Sequence, residues 1–186
     1  MLAAIASSRT LLNAEIESIV KRKNISMDKA IAHFHQNNWL VVGVSNQGGV
    51  TSGFKTIAGT IEEMANTLKL FPGLSRIYFC PDFEGKELYF VSRDDCDAYG
   101  GKLRVVLPSD FISCRKPSPG MINNVLIGKD VTEVWMVGDR PEDEQSAINA
   151  KINFCPADVW RDQFKPGVFT HKVTPAQLQF LEGLTQ

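Results

Sequence analysis

The sequence predicts an α/β protein with a doubly wound, parallel, Rossmann-like sheet. Short apolar runs alternate with segments whose apolar residues recur every three to four positions, the pattern of strands alternating with helices. Several of the runs are apolar at consecutive positions, as strands are when helices cover both faces of a parallel sheet. A length of 186 residues suits one domain with a single core.

The apolar runs indicate five buried strands. We place them at Leu2–Ile5, Trp39–Val44, Arg76–Cys80, Glu133–Val137 and Ile152–Cys155. In doubly wound sheets, ligands bind at the carboxyl ends of the strands. The residues that follow each strand are therefore the first candidates for function.

The helices are predicted from apolar periodicity and from residues that favour helix ends. The periodic segments begin near Leu12, Met27, Thr60, Gly120, Pro141 and Thr174. Thr60–Glu63 has the form of a capping box, and Phe71–Gly73 should end that helix. Pro141 suits the first position of its helix, and the acidic residues after it favour the helix dipole.

Residues 82–113 interrupt the alternation of strands and helices. Glu87–Val91 and Leu103–Leu107 have the composition of short strands, and the polar residues between them are rich in turn formers. We therefore expect a small hairpin insertion, and no large second module, within a single domain of residues 1–186.

Composition excludes some classes of function. A net charge of -1 and a pI near 6.3 give no support to tight, sequence-independent binding of nucleic acid. No apolar run approaches the roughly 18 residues of a membrane span. Cys80, Cys96, Cys114 and Cys155 are spread without a CxxC pair, which favours reduced thiols in a cytoplasmic protein.

Polar residues that could bind a ligand lie at two places along the chain. Ser45 and Asn46 follow the second strand and precede two glycines, so side chains and backbone N–H groups there could bind phosphate. Such loops are also common as simple polar turns. Lys116, between a predicted loop and a helix start, could act as a point charge on a phosphate or a carboxylate. A solvated basic turn is the alternative for Lys116.

Two carboxylates follow the fourth strand. Asp139 stands at the strand end, and Asp143 lies four residues later in the first helical turn. This spacing lets both side chains converge on a hard cation such as Mg²⁺. The alternative is a capping carboxylate beside a surface acid.

In their order along the chain, these residues resemble motifs two, three and four of the haloacid dehalogenase (HAD) superfamily. Ser45–Gly49, Arg115–Met121 and Val137–Asp143 are most similar to its class IIIA branch. That branch includes histidinol-phosphate phosphatase, the heptose bisphosphate phosphatases and the 3′-phosphatase domain of polynucleotide kinase. The resemblance extends over about residues 2–160.

The resemblance implies a Mg²⁺-dependent phosphatase with a small cap or none. Its family mechanism uses an Asp nucleophile and an Asp acid/base two residues later. Carried over to this sequence, it implies that Ser45, Asn46 and Lys116 bind phosphate and that Asp139 and Asp143 bind the metal.

The chain departs from the family at the first motif, Asp-x-Asp-Gly-Thr-Leu, which aligns with Ala6–Leu11. Ala6 occupies the nucleophile position and Ser8 the acid/base position. A methyl group can neither attack phosphorus nor bind a metal, and a hydroxyl is a poor replacement for a carboxylic acid. The sequence therefore predicts a pseudophosphatase or an inactivated variant with weakened Mg²⁺ binding. A natural loss, an engineered loss and a different register of the motif are the three explanations.

Some class IIIA relatives carry a structural zinc ion, but this sequence matches that site incompletely. Cys80 and Cys114 fit two ligand positions, Asp82 replaces a histidine, and Cys96 could supply a further thiolate. We therefore do not expect zinc.

The expected ligand is a phosphorylated small molecule or a nucleic-acid end, without a membrane partner. By the resemblance, Tyr89–Tyr99 of the hairpin would line the ligand entrance. The hairpin could instead contact a second copy of the chain or another protein. A non-enzymatic interaction or regulatory module on the same scaffold is therefore the alternative function.

Overall fold

A seven-stranded sheet forms the centre of the molecule. The computed structural model describes residues 2–6, 27–93, 103–106 and 112–183. The strands are β1 (Leu2–Ala6), β2 (Leu40–Asn46), β3 (Leu74–Cys80), β4 (Glu87–Ser92), β5 (Leu103–Val106), β6 (Val134–Gly138) and β7 (Asn153–Pro156). Their order is β5-β4-β3-β2-β1-β6-β7. Strands β3, β2, β1, β6 and β7 are parallel, whereas β4 and β5 pair antiparallel at one edge.

Helices cover both faces of the sheet, which confirms the doubly wound α/β prediction. They are α1 (residues 27–36), α2 (Ile57–Leu70), α3 (Gly120–Leu126), α4 (Pro141–Ala150), α5 (Ala157–Asp162) and α6 (Pro175–Leu181). Buried residues of α1, α2, α5 and α6 pack on one face, and those of α3 and α4 pack on the other. No helix among the residues described is long and apolar enough to cross a membrane.

Aromatic side chains fill the core on the face covered by four helices. Phe180 of α6 stacks on Trp135 of β6 with ring centroids 4.3 Å apart and lies 4.6 Å from Phe34 of α1. Trp39 packs edge-on against Phe180, and its indole N–H donates to the carbonyl of Gly183 at 3.2 Å. These contacts attach the carboxyl-terminal helix to the central strands.

The start of α2 differs from the sequence prediction. The N-cap is Thr56, whose hydroxyl oxygen accepts the N–H of Gly59 at 3.0 Å, so the helix begins four residues before the expected capping box. Thr60 is fully buried inside the helix, and its hydroxyl donates to the carbonyl of Thr56. The helix ends at Phe71 as predicted.

The predicted hairpin is present, and it extends the main sheet. β4 pairs antiparallel with β3, and β5 pairs with β4. Tyr89 is 8% exposed and stacks on Phe79 with ring centroids 5.2 Å apart. The expectation that Tyr89 lines a ligand entrance is therefore wrong, because its ring belongs to the core; residues 94–99 lie outside the described part of the chain.

Two further segments differ from the sequence analysis. Helix α5 was not predicted, because its six residues follow β7 directly and are too few to show a periodicity. The helix expected from Leu12 lies outside the described residues. The helix expected at Thr174 is α6, with Thr174 as its N-cap and Pro175 as its first residue.

Candidate functional site

The carboxyl ends of three neighbouring strands meet where the chain order of the sheet reverses. β1 lies between β2 and β6. The chain adds β2 to β5 on one side of β1 and then adds β6 and β7 on the other side. Ala6, the last residue of β1, pairs with Val44 of β2. This is the topological switch point at which doubly wound sheets bind ligands.

A buried ion pair stands at this end of the sheet. The Nζ atom of Lys116 lies 2.7 Å from Oδ1 of Asp143, and the two side chains are 4% and 1% exposed. The same ammonium donates to the carbonyl of Val44 at 3.2 Å. Burial lowers the pKa of Lys116 below its ordinary value, although the attraction of Asp143 opposes this effect.

Asp143 also closes the turn between β6 and α4. Its Oδ2 atom accepts the backbone N–H groups of Asp139 and Arg140, both at 3.2 Å. Gly138 is required beside it, since a Cβ atom there would lie 2.6 Å from Oδ2. Among the described residues, Oδ1 has the Lys116 ammonium as its partner and no hydrogen-bond donor in addition.

The Asn46 side chain holds the backbone of Lys116. Its Oδ1 accepts the Lys116 N–H at 3.0 Å, and its Nδ2 donates to the Lys116 carbonyl at 2.9 Å. The peptide bond between Lys116 and Pro117 is cis. Asn46 therefore positions the lysine, and its amide group is already engaged in doing so.

Ser45 lies one residue before the end of β2 and is 1% exposed. Its Oγ accepts a hydrogen bond from Nε2 of Gln47 at 2.9 Å. The structure thus joins Asn46 to Lys116, and Ser45 precedes Asn46 in β2. Ser45 and Asn46 are the last residues of the strand and not the first residues of a loop.

Sequence reasoning gave no role to the residues behind Ser45. Nζ of Lys55 lies 3.5 Å from Oε1 of Gln47 and 2.9 Å from Oε2 of Glu63. The sequence indicated no function for Gln47 beyond its place directly after Asn46. The involvement of Lys55 and Glu63 depends on how the loop after β2 folds back onto α2.

Asp139 is exposed at the end of β6, beside an open groove of about 460 Å³ that continues to Arg161. Its carboxylate and the buried Oδ1 of Asp143 are the oxygen donors that motif four offers a metal. This set fits Mg²⁺, which binds one or two carboxylates and completes its shell with water and phosphate oxygens. Because Asp143 already serves Lys116 and two N–H groups, Asp139 would carry the larger share.

The first-motif positions are only partly described. Ala6 ends β1 beside the lysine's acceptor residue, Val44. Ser8 lies outside the described residues. The loss of a carboxylate at position 6 follows from the sequence, because alanine carries none.

Cys80, Asp82 and Cys114 form a second cluster, with ligand atoms all within 4.8 Å of one another. The hydrogen bond with Cys114 and burial raise the pKa of the Cys80 thiol. Oδ2 of Asp82 accepts the N–H of Lys86 at 2.8 Å, and the Cys114 thiol donates to the Glu87 carbonyl. The Cys80 thiol donates to Oδ1 of Asp82 at 3.3 Å, so each of the three groups has a hydrogen-bond partner. The expectation of no zinc remains a prediction, and Cys96 lies outside the described residues.

The guanidinium of Arg115 lies over the ring of Phe83, 4.8 Å from its centroid. The ring rests against Gly48, where a Cβ atom would approach the ring to 2.8 Å. This contact joins the loop after β2, the loop after β3 and the segment that carries Lys116.

Comparisons with known proteins show which families and structures the chain is similar to. A family model described as haloacid dehalogenase-like hydrolase matches residues 99–157. A D-glycero-beta-D-manno-heptose-1,7-bisphosphate 7-phosphatase from Pseudomonas aeruginosa is 28% identical over 126 residues, which cover 64% of this chain and 57% of that protein. The enzyme of the same name from Haemophilus influenzae is 30% identical over 130 residues, 66% of this chain and 60% of that protein.

The chain thus spans under two thirds of the length of these curated relatives. Among solved structures, a HAD-like phosphatase from Mesorhizobium loti superposes with a TM-score of 0.53 at 19% identity, covering 81% of this chain and 68% of that one. This superposition shows the fold. Together with the motifs at the switch point, the comparisons show that the chain is similar to haloacid dehalogenase-like hydrolases and to curated heptose bisphosphate phosphatases.

Proposed function

We propose that this chain is a HAD-like phosphatase domain that binds a phosphorylated ligand but lacks the groups that would cleave it. The observation that carries the proposal is the buried ammonium of Lys116, held by Val44 and Asp143 beside the end of β1. A buried cation at a strand end is a suitable point charge for a phosphate. The adjoining residue of β1, however, is Ala6.

Each residue of the site has a distinct part in binding. Lys116 supplies positive charge, Ser45 supplies a hydroxyl, and Asn46 fixes the backbone of the lysine. Asp139 and Asp143 would hold Mg²⁺, which when bound would neutralise phosphate charge. With one family carboxylate replaced by Ala6, we expect weaker Mg²⁺ binding than in a phosphatase with an intact first motif.

The chemical step is the part that the chain lacks. The side chain of Ala6 has no lone pair to attack phosphorus, and Ser8 cannot donate a proton as a carboxylic acid does. Loss of a nucleophile removes most of an enzyme's rate even where the groups that bind charge persist. We therefore propose that turnover is absent or very slow.

The ligand class that the relatives suggest is a phosphorylated sugar, because both curated relatives described above are named as heptose bisphosphate phosphatases. Local loops select substrates on a shared fold, so this choice concerns the ligand beyond its phosphate. A nucleic-acid end would be the second choice within the same branch.

The test compares binding with turnover. Isothermal titration calorimetry with inorganic phosphate and Mg²⁺ should detect binding to the chain as given, and Lys116→Met should abolish it. Hydrolysis of p-nitrophenyl phosphate should be undetectable for this chain and should appear after Ala6→Asp combined with Ser8→Asp. Turnover by the unchanged chain would contradict the proposed loss of activity. If neither phosphate nor Mg²⁺ shifts the melting temperature, the result would favour the alternative function, a non-enzymatic interaction module.

A further inference from the structure

A line of four polar side chains connects helix α2 with the end of β2. Glu63 pairs with Lys55 at 2.9 Å, Lys55 reaches Oε1 of Gln47 at 3.5 Å, and Nε2 of Gln47 donates to Oγ of Ser45 at 2.9 Å. Exposure falls along the line, from 35% and 18% for the side chains of Glu63 and Lys55 to 8% and 1% for Gln47 and Ser45. The line therefore runs from the surface to the buried phosphate site of the proposed function.

The donors and acceptors of this line give it a direction. A lysine ammonium can only donate, so the amide oxygen of Gln47 must face Lys55. The amide NH₂ group then faces Ser45, whose oxygen accepts its hydrogen bond. The opposite orientation of the amide would place its NH₂ group against the ammonium, with two donors face to face. The hydroxyl proton of Ser45 is consequently directed away from Gln47.

The position of Gln47 itself is fixed by the sheet. Its backbone N–H donates to the carbonyl of Cys80, at the end of the neighbouring strand, at 2.7 Å. Only rotation of the side-chain amide is left to determine which way its oxygen points. A buried amide of this kind responds strongly to one adjacent charge, because the surroundings screen that charge weakly.

We propose that Lys55 is a positioning residue that sets the direction of the hydrogen bond at Ser45, so that the serine hydroxyl donates to a phosphate oxygen of the ligand. A fully ionised phosphate has only acceptor atoms, and it therefore binds a serine that donates. Glu63 holds the lysine in place at 2.9 Å. This inference rests on the proposed phosphate binding and adds to it a residue that touches neither ligand nor metal.

The test is a double-mutant cycle on the affinity for inorganic phosphate in the presence of Mg²⁺. Lys55→Met should weaken binding about tenfold, the loss expected when a hydrogen bond to a charged group is removed. Ser45→Ala should have a similar effect, and the double variant should bind no more weakly than Ser45→Ala alone. Lys69→Met removes the same charge from an exposed position in the last turn of α2 and serves as the control. Lys55→Arg, which keeps a donor and a charge, should retain most of the affinity.

Additive losses in the cycle would overturn the inference, because Lys55 would then act without Ser45. A Lys69→Met loss as large as that of Lys55→Met would overturn it as well, since only general charge would be involved. The side-chain amide resonances of Gln47, assigned by their disappearance in Gln47→Met, give a readout without ligand: they should shift and exchange faster with solvent in Lys55→Met. If the unchanged chain binds no phosphate, the proposed function fails, and an amide signal unaffected by Lys55→Met would then exclude the positioning role separately.

Discussion

Lys116 and Asp143 depend on each other within the buried part of the site. Each charge is almost fully removed from water, and the other is its partner at 2.7 Å. The cost of desolvating two such charges offsets much of their attraction. The pair therefore holds the Lys116 ammonium in position and adds little to the stability of the fold. Removal of one partner, however, leaves the other charge buried and unpaired.

Lys116→Met should therefore lower the free energy of unfolding by about 3–5 kcal/mol. Urea denaturation followed by circular dichroism would measure the loss. Lys129→Met, at an exposed position, is the matched control and should change stability by less than about 0.5 kcal/mol. Adding Asp143→Asn to Lys116→Met should recover part of the loss, because the side-chain oxygen can still accept two N–H groups; equal stability of Lys116→Met and Lys129→Met would contradict the expectation.

The pH dependence of anion binding should report the same lysine. Burial lowers the pKa of Lys116 below its ordinary value of 10.5, and only its protonated form attracts an anion. Affinity should therefore fall as the pH rises through this lowered pKa, with a midpoint below that of a free lysine. Sulfate is the suitable probe, since its charge is constant over this range. An affinity that stays constant up to pH 10.5 would show that the lysine keeps its proton there.

At the level of elements, the turn between β6 and α4 connects Asp139, the proposed metal ligand, with the ion pair of Asp143 and Lys116. Gly138 ends the strand, and the carboxylate of Asp143 folds back over it to accept two N–H groups. The close approach leaves no room for a side chain at position 138. The strand end, the helix start and the position of Asp139 are consequently set by one contact.

Gly138→Ala should displace the Asp143 side chain, because the new Cβ would lie 2.3 Å from its Cβ. We expect a loss of about 1–3 kcal/mol in stability, the range for overpacked sites, together with weaker Mg²⁺ binding. Thermal unfolding with and without Mg²⁺ measures both effects. Gly49→Ala is the control, since among the described residues a Cβ there would meet Lys55 at an ordinary 3.8 Å. Matching results for the two variants would refute the packing argument.

The sequence predicted the elements of this region well because each has a strong local signal. Pro141 marks the start of α4, and the turn formers near Phe71 mark the end of α2. The start of α2 was placed four residues late, because Thr56 and Thr60 are both plausible caps and only the structure shows which of them is buried.

The candidate site residues remain a prediction from the sequence, and the contacts among them are visible only in the structure. Ser45 and Asp139 stand out because each lies at the end of an apolar strand, and Lys116 stands out because it precedes a predicted helix start between them in the chain. The engagement of Asn46 with the lysine backbone depends on two segments 70 residues apart, and no local pattern records such a pairing. The buried polar line that ends at Ser45 was missed for the same reason.

For the molecule as a whole, the two faces of the sheet are packed differently. The face under α3 and α4 includes Val44, whose carbonyl accepts a hydrogen bond from the Lys116 ammonium, whereas the other face carries the aromatic cluster. Helix α6 lies on the aromatic face. Its Phe180 packs against Trp39, directly before β2, and against Trp135 of β6. Stability and ligand binding should therefore be separable by mutation.

Phe180→Ala tests this separation. The ring is fully buried between Trp135 and Phe34, so its removal should cost about 3–5 kcal/mol and lower the melting temperature by roughly 6–20 °C. Leu178→Ala, at a half-exposed position of the same helix, should leave the melting temperature nearly unchanged. Phosphate affinity, measured well below the melting temperature, should equal that of the unchanged chain, because the strand ends that hold Ser45 and Asp139 are fixed by contacts of their own. A weakened affinity in the folded Phe180→Ala variant would mean that packing under α6 controls the strand ends, and the two faces would then have to be treated as one mechanical unit.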